Sequence, residues 1–191
     1  MSTRSANGPR PNPRRTDGGR WGVTLDVLIR SAQAGDAVAI GTVWQRAAMV
    51  GYEGIFPPDA PTPTPELLAE RSRQAIAAQG HSALVLVACD SGPDRTVVGT
   101  IAATPDPHEG SRAQIRRLYV DPGYWGRGIG RRLHDEALAH VRQAGYRVVV
   151  LWVLERNVRA RAMYERWGWR SAPARQTEYP GVDETCYIRT L

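Results

Sequence analysis

The chain runs to 191 residues, 42% of them hydrophobic and 23% charged, with a formal net charge of +6. That length suits one well-buried domain and a tail rather than two ordinary domains, and no apolar run approaches the length of a bilayer span. Its two cysteines lie in apolar strand-like stretches, and its four histidines lack ligand spacing, which excludes a disulfide framework and a metal motif.

Residues 1–20 hold Arg4, Arg10, Arg14, Arg15 and Arg20 against Asp17, so the tail carries most of the charge and the body is nearly neutral. An Arg/Pro/Gly-rich stretch without the apolar core of a secretion signal reads as a disordered, solvated tail ahead of a domain at 21–191. The cytoplasm is the expected location, and neither nucleic acid nor a membrane is an expected partner.

In chain order, Val23–Arg30 alternates apolar and polar residues as a first strand. A helix starts at Gly35-Asp36, with Ile40, Val43, Trp44 and Ala47 on one face. The segment 51–65 carries five prolines and forms an irregular pocket wall. Thr64 and Pro65 cap a second helix through Leu68, Ala75 and Ile76 that stops at Gly80. Strands at 83–89 and 96–103 form a hairpin, and a charged loop around Asp106 and Glu109 leads to a fourth strand ending in Leu118-Tyr119-Val120.

A third helix places Leu133, Ala137, Val141 and Ala144 on one face and ends at Gly145. The continuous apolar run 147–154 then reads as a strand covered on both faces. Strand, helix and strand make a right-handed βαβ crossover with two parallel strands. Asn157 caps a fourth helix that runs to Trp167 and is closed by Gly168, and two last strands fall near 175–179 and 184–190.

The turn between the fourth strand and the third helix is Trp125-Gly-Arg-Gly-Ile-Gly-Arg131. Gly126, Gly128 and Gly130 let the chain turn sharply and let a ligand approach the amides, while the helix start presents unpaired N–H groups and a positive dipole end. That is an anion site. The chain contains no lysine, so the turn is not a Walker loop, and G-x-G-x-G lacks the spacing of a dinucleotide fingerprint. Downstream, Asn157, Ala160 and Tyr164 share one helix wall, with the small Ala160 leaving room for a ligand and Tyr164 one turn further along. Read without a ligand, Asn157 is an N-cap and Tyr164 a core aromatic; Trp152, Trp167 and Trp169 read as packing residues.

With the strand ending LYVDP, the turn GRGIG and the helix N-x-x-A-x-x-x-Y-x-x-x-G in this order, the chain resembles the GNAT superfamily of acyl-coenzyme A dependent N-acyltransferases. The resemblance implies an α+β fold, a mostly antiparallel sheet of six to seven strands splayed between the fourth and fifth, flanked by about four helices. It implies acetyl-CoA or another acyl-CoA as co-substrate, held by Leu118, Tyr119 and Val120 of the fourth strand. The amides of Gly126, Arg127, Gly128, Ile129, Gly130 and Arg131 would hold its pyrophosphate, and Asn157 and Ala160 its arm. Tyr164 becomes the general acid, the acceptor is a primary amine of a small molecule or peptide, and a homodimer is common.

Tyr52, Glu53 and Phe56 fall where the family builds its acceptor pocket. Two positions depart from the family pattern: Trp125 replaces the usual Gln or Arg, and Gln114 stands where several members carry a glutamate base. Glu155, His108 and Glu109 in the preceding loop, or a water chain, are then the candidates for proton removal. An aminoacyl-tRNA donor, or a catalytically silent acyl-CoA-binding module, are the alternative readings on the same fold.

Overall fold

The computed structural model describes residues 27–191, with Glu178 described by its backbone alone. The tail at 1–20 and the first residues of the expected first strand, 23–26, lie outside the described residues. The remainder of that strand forms β1 (Leu28–Ser31). A short 3-10 turn, Ala34–Asp36, leads into α1 (Ala37–Gly51), and Arg30 grips Asp36 at 2.7 Å to hold that entry.

Helix α1 buries Ala37, Ile40, Val43 and Ala47, the expected stripe, whereas Trp44 is only half-buried. Helix α2 (Pro65–Ala77) starts as read, with Pro65 in its first turn and the Thr64 hydroxyl accepting from the Leu67 amide at 3.3 Å. A cap of this kind stabilises a helix by roughly 1 kcal/mol. The two helices pack so closely that a β-carbon on Gly41 would come within 2.9 Å of the Ala69 amide nitrogen.

Strands β2 (Leu84–Cys89) and β3 (Val97–Pro105) form the expected hairpin, and β4 (Ala113–Val120) pairs antiparallel to β3. Helix α3 (Ile129–Gln143) crosses over to β5 (Val148–Leu154), which lies parallel to β4. Helix α4 (Val158–Arg166) is capped by the Asn157 carbonyl oxygen, which accepts from the Ala160 amide at 3.1 Å. The chain closes with β6 (Arg170–Tyr179) and β7 (Val182–Thr190); β6 begins earlier than the sequence pattern suggests, and its pairing is interrupted between Ser171 and Arg175.

The strands form a seven-stranded sheet in the order β1-β2-β3-β4-β5-β7-β6, with β4 and β5 the parallel pair. One core lies between the sheet and α3 and α4, around Ile101, Leu133, Val149 and Tyr187; a second lies under α1, around Ile40, Val43 and Val87. Within the described residues no helix is long and apolar enough to cross a membrane.

The site is positioned by a fork. Pairing between β4 and β5 stops after Ala113↔Val149, Gln114↔Val150 and Ile115↔Leu151. At the same level Ala103 faces Ile115 but Ala102 faces Arg117, so Arg116 is an extra residue, a β-bulge that bends β4 away. Beyond it, β4 from Arg116 to Val120 and β5 from Trp152 to Leu154 run unpaired with each other.

Candidate active site

The fork opens into a cleft of about 510 Å³, lined by the far ends of β4 and β5, the glycine turn, α4, the end of α1 and Glu184 of β7. Such a volume accommodates a drug-sized ligand.

At the turn, Asp121 accepts from Gly123 at 2.9 Å and pairs with Arg46 at 2.8 Å, fixing the approach. Gly126 and Gly128 have φ of 77° and 78°, the left-handed region that favours glycine, and the space a β-carbon would occupy at each is open. Gly130 is already inside α3. The first backbone bond at the helix start runs from the Arg132 amide to the Gly128 carbonyl. Among the described residues, the amides from Gly126 to Arg131 therefore donate to no acceptor, a row of orphan donors at a positive helix end.

Trp125 lies beside this row. Its indole N–H donates to the Val120 carbonyl at 2.6 Å, occupying a backbone group that the fork left unpaired. The Arg159 guanidinium of α4 sits 4.1 Å over the Trp125 ring, bridging the mouth of the fork. Arg127 instead turns onto the Tyr124 ring at 5.1 Å and is absent from the lining.

Along α4, Asn157, Ala160 and Tyr164 all line the cleft. Capping engages the Asn157 oxygen and leaves its amide N–H groups for other partners. Tyr164 is 8% exposed and packs edge-on against Trp167 and Trp169 at 5.8 and 6.0 Å. Burial, aided by the nearby Tyr52 hydroxyl, pushes its phenol well above the ordinary value of 10.0. It is thus both a core aromatic and a wall of the cleft. Trp152 and Trp167, read from the sequence as packing residues, line the cleft as well, whereas Trp169 is buried and donates its indole N–H to His134 at 2.9 Å.

At the α1 end, Tyr52 lines the cleft and its hydroxyl meets that of Tyr119 at 3.2 Å. Phe56 backs Tyr52 at 5.9 Å without lining the cleft, and Glu53 is exposed outside it. None of the base candidates reaches the site. Glu155 pairs with Arg175 at 3.0 Å; His108 and Glu109 sit in the loop before β4, where Glu109 pairs with Arg112 at 3.1 Å. Gln114 is buried and lies off the cleft wall.

Glu184, which sequence reasoning missed, is the one carboxylate among the described lining residues. It faces Leu154 across the β5–β7 ladder, and the Gln176 amide donates to it at 2.5 Å. The same lining holds five arginines, Arg116, Arg117, Arg131, Arg159 and Arg166, of which Arg131 pairs with Asp135 at 2.7 Å. A cleft so rich in cations favours a polyanionic ligand.

A family model described as the acetyltransferase (GNAT) family matches residues 49–169, more than half of the chain. The chain belongs to the GNAT family. Solved GNAT structures share its fold: the PaiA N-acetyltransferase of Thermoplasma acidophilum in complex with coenzyme A superposes with a TM-score of 0.69 at 20% identity, covering 87% of this chain and all (100%) of that one. The ribosomal-protein-S18-alanine N-acetyltransferase of Escherichia coli gives 0.63 at 20% identity, covering 86% of this chain and 94% of that one. In sequence, a mycothiol acetyltransferase of Beutenbergia cavernae is 41% identical over 80 residues, 42% of this chain and 26% of that protein. The S18-alanine enzyme is 32% identical over 71 residues, 37% of this chain and 48% of that protein. The matched stretch therefore spans about a quarter to a half of these curated relatives.

Proposed function

We propose that this GNAT domain transfers an acetyl group from acetyl-CoA to a primary amine, by direct attack within a ternary complex. The observation that carries this reading is the row of unclaimed amides from Gly126 to Arg131 at the mouth of a forked sheet whose interior holds Tyr164. The donor set fits the co-substrate: orphan amides and arginines suit a pyrophosphate, and the unpaired edge of β4 near Leu118 and Val120 suits an amide-bearing arm. Coenzyme A bound to the PaiA structure and acetyl-CoA bound to a YncA acetyltransferase structure from Salmonella typhimurium support the same placement.

Acetyl-CoA supplies the thioester. The chain's own residues supply the proton transfers. An alkyl-ammonium acceptor, with a pKa near 10, must lose a proton before it attacks, and Glu184 is the carboxylate placed to draw in the cation and take that proton at a carboxylate oxygen. Gln114 replaces an acid at a position that does not face the cleft, so its neutrality costs the site no base. Tyr164 keeps its proton at neutral pH and donates it from its hydroxyl to the departing sulfur. Burial that raises the phenol also raises a thiolate beside it, so donor and acceptor stay matched.

Calorimetric titration with acetyl-CoA and thiol release over a panel of primary amines test this reading. Micromolar binding with amine-dependent thiol release is expected. Absence of acetyl-CoA binding at millimolar concentration would falsify it, and binding without release from any amine would leave a silent CoA-binding module.

A further inference from the structure

On the acceptor side of the fork, β4 presents Arg117 and Tyr119 toward α1. The Arg117 guanidinium lies 4.4 Å over the Trp44 ring, and Trp44 is in turn stacked on Tyr119 at 5.5 Å, which fixes the ring beneath the cation. It is half-buried and lines the cleft. Among the described residues it makes no ion pair, and the charged side chains acting on it, Arg116 and Arg71, are cations. Burial is the largest influence against its charge, and the Tyr119 hydroxyl acts in its favour.

This arrangement is costly as packing alone. Beyond its contact with the Trp44 face, a half-buried guanidinium beside two further arginines is stabilised by an anion, since a Met or Leu would cover Trp44 without the desolvation. The phosphates of the co-substrate do not meet this need. Their amide row begins beyond the end of β4, and Leu118 and Val120, which lead to it, face the α3 side of the sheet, opposite to Arg117. Glu184 stands across the same cleft on β7, next to Leu154. The acceptor chamber is thus bipolar, with a carboxylate on one wall for an ammonium and a guanidinium on the other.

We infer that the acceptor carries a carboxylate besides its amine, and that Arg117 pairs with that carboxylate. The inference deepens the acetyltransferase reading and rests on it for the fate of the amine, but the anion site stands on its own residues. Arg117 is a specificity residue: it holds the acceptor and moves no proton. Trp44 keeps its fork aimed into the chamber, where two parallel N–H donors match a carboxylate. Acceptors whose only charges are positive, polyamines among them, are disfavoured by the same group.

The test uses the full chain and pairs of ω-amino acids and their carboxamides, from glycine upward in chain length, assayed by thiol release. The carboxylate member should exceed its carboxamide in kcat/KM by about tenfold to a hundredfold, with the difference in KM. Arg117→Gln should collapse that ratio towards one while acetyl-CoA titration shows the variant folded. A free amino acid and an acidic peptide offer the same carboxylate, and the spacing that gives the lowest KM distinguishes them. Calorimetry of the CoA-saturated protein with the same compounds separates the two readings. Carboxylates that bind the wild type and not Arg117→Gln, with no thiol released, support the anion site and sink the transfer. A wild-type ratio at or below one, a ratio unchanged in Arg117→Gln, or no carboxylate binding or turning over at all, overturns the inference.

Discussion

At the glycine turn, six consecutive residues present backbone amides that donate to no acceptor among the described residues; across the cleft, Tyr52 at the end of α1, Arg117 and Tyr119 of β4 and Glu184 of β7 present side chains. The first site depends on conformation and is indifferent to most side chains, as Trp125 in place of the usual Gln or Arg illustrates: it turns its indole to the Val120 carbonyl and leaves the amides open. The second depends on the identity of each residue and on the sheet that assembles them. The proposed co-substrate thus rests on backbone conformation, and the proposed acceptor on the identity of single side chains.

The largest expected effect separates chemistry from binding. Tyr164→Phe should lower kcat by roughly a hundredfold or more, the usual scale of a lost general acid, with acetyl-CoA affinity within about twofold in calorimetry. A parallel loss of affinity would make Tyr164 part of the cradle and break the contrast.

That contrast also explains which parts of the molecule can be read from its sequence. Thr64-Pro65, Asn157 and the alternating glycines are local signals, each acting within one turn of chain, and the structure places their elements as read. The fork between the fourth and fifth strands follows from the family resemblance. Glu184 was missed because only the pairing Leu154↔Glu184 brings it to the cleft, and nothing near it in sequence marks it. Its strand, VDETCYIRT, mixes polar and apolar residues, so Glu184 does not stand out from Asp183 or Thr185 beside it. Arg117 was passed over because its anchor, Trp44, lies on a helix far away in the chain. Glu155, His108 and Glu109 lie near the motifs in sequence, yet none lines the cleft: Glu155 pairs with Arg175, Glu109 with Arg112, and His108 sits in the loop before β4.

Next in size, Gly128→Val should weaken acetyl-CoA binding about tenfold or more while leaving kcat at saturation nearly unchanged. A β-branched residue at φ 78° is strained by roughly 1–3 kcal/mol and would also fill the open approach to the amides. Trp125→Phe sharpens the same point with a smaller effect. It removes only the indole bond to Val120, worth about 1 kcal/mol, and should cost a few-fold in acetyl-CoA affinity.

The smallest effect lies beneath both regions. His134 is fully buried, accepts the Trp169 indole N–H at its Nε2 and meets Asp135 through Nδ1 at 2.9 Å, so it is held neutral with the proton on Nδ1. Burial lowers its pKa below the ordinary 6.5, outweighing the pull of Asp135. The unfolded chain then takes up a proton that the folded one refuses, so stability is full above about pH 6.5 and declines as the pH falls below it. Thermal melts between pH 7.5 and 5.5 should show this decline, and His134→Gln should flatten it. An unchanged slope in that variant would assign the decline to other groups.

The extra residue at Arg116 is also a matter of counting. Ile115 and Leu118 both belong on the α3 side of the sheet, yet they are three positions apart, an odd interval that a strand of period two cannot bridge. The two arginines between them hold the odd step, one absorbed by the bulge and the other facing α1. A chain lacking Arg116 would keep every remaining side chain on its present face and lose the reason for its strands to part. Deletion of Arg116 is expected to extend the β4–β5 pairing past Ile115↔Leu151 and narrow the cleft, read as lost acetyl-CoA binding in calorimetry. In this sheet the distance between a closed wall and an open binding site is one codon.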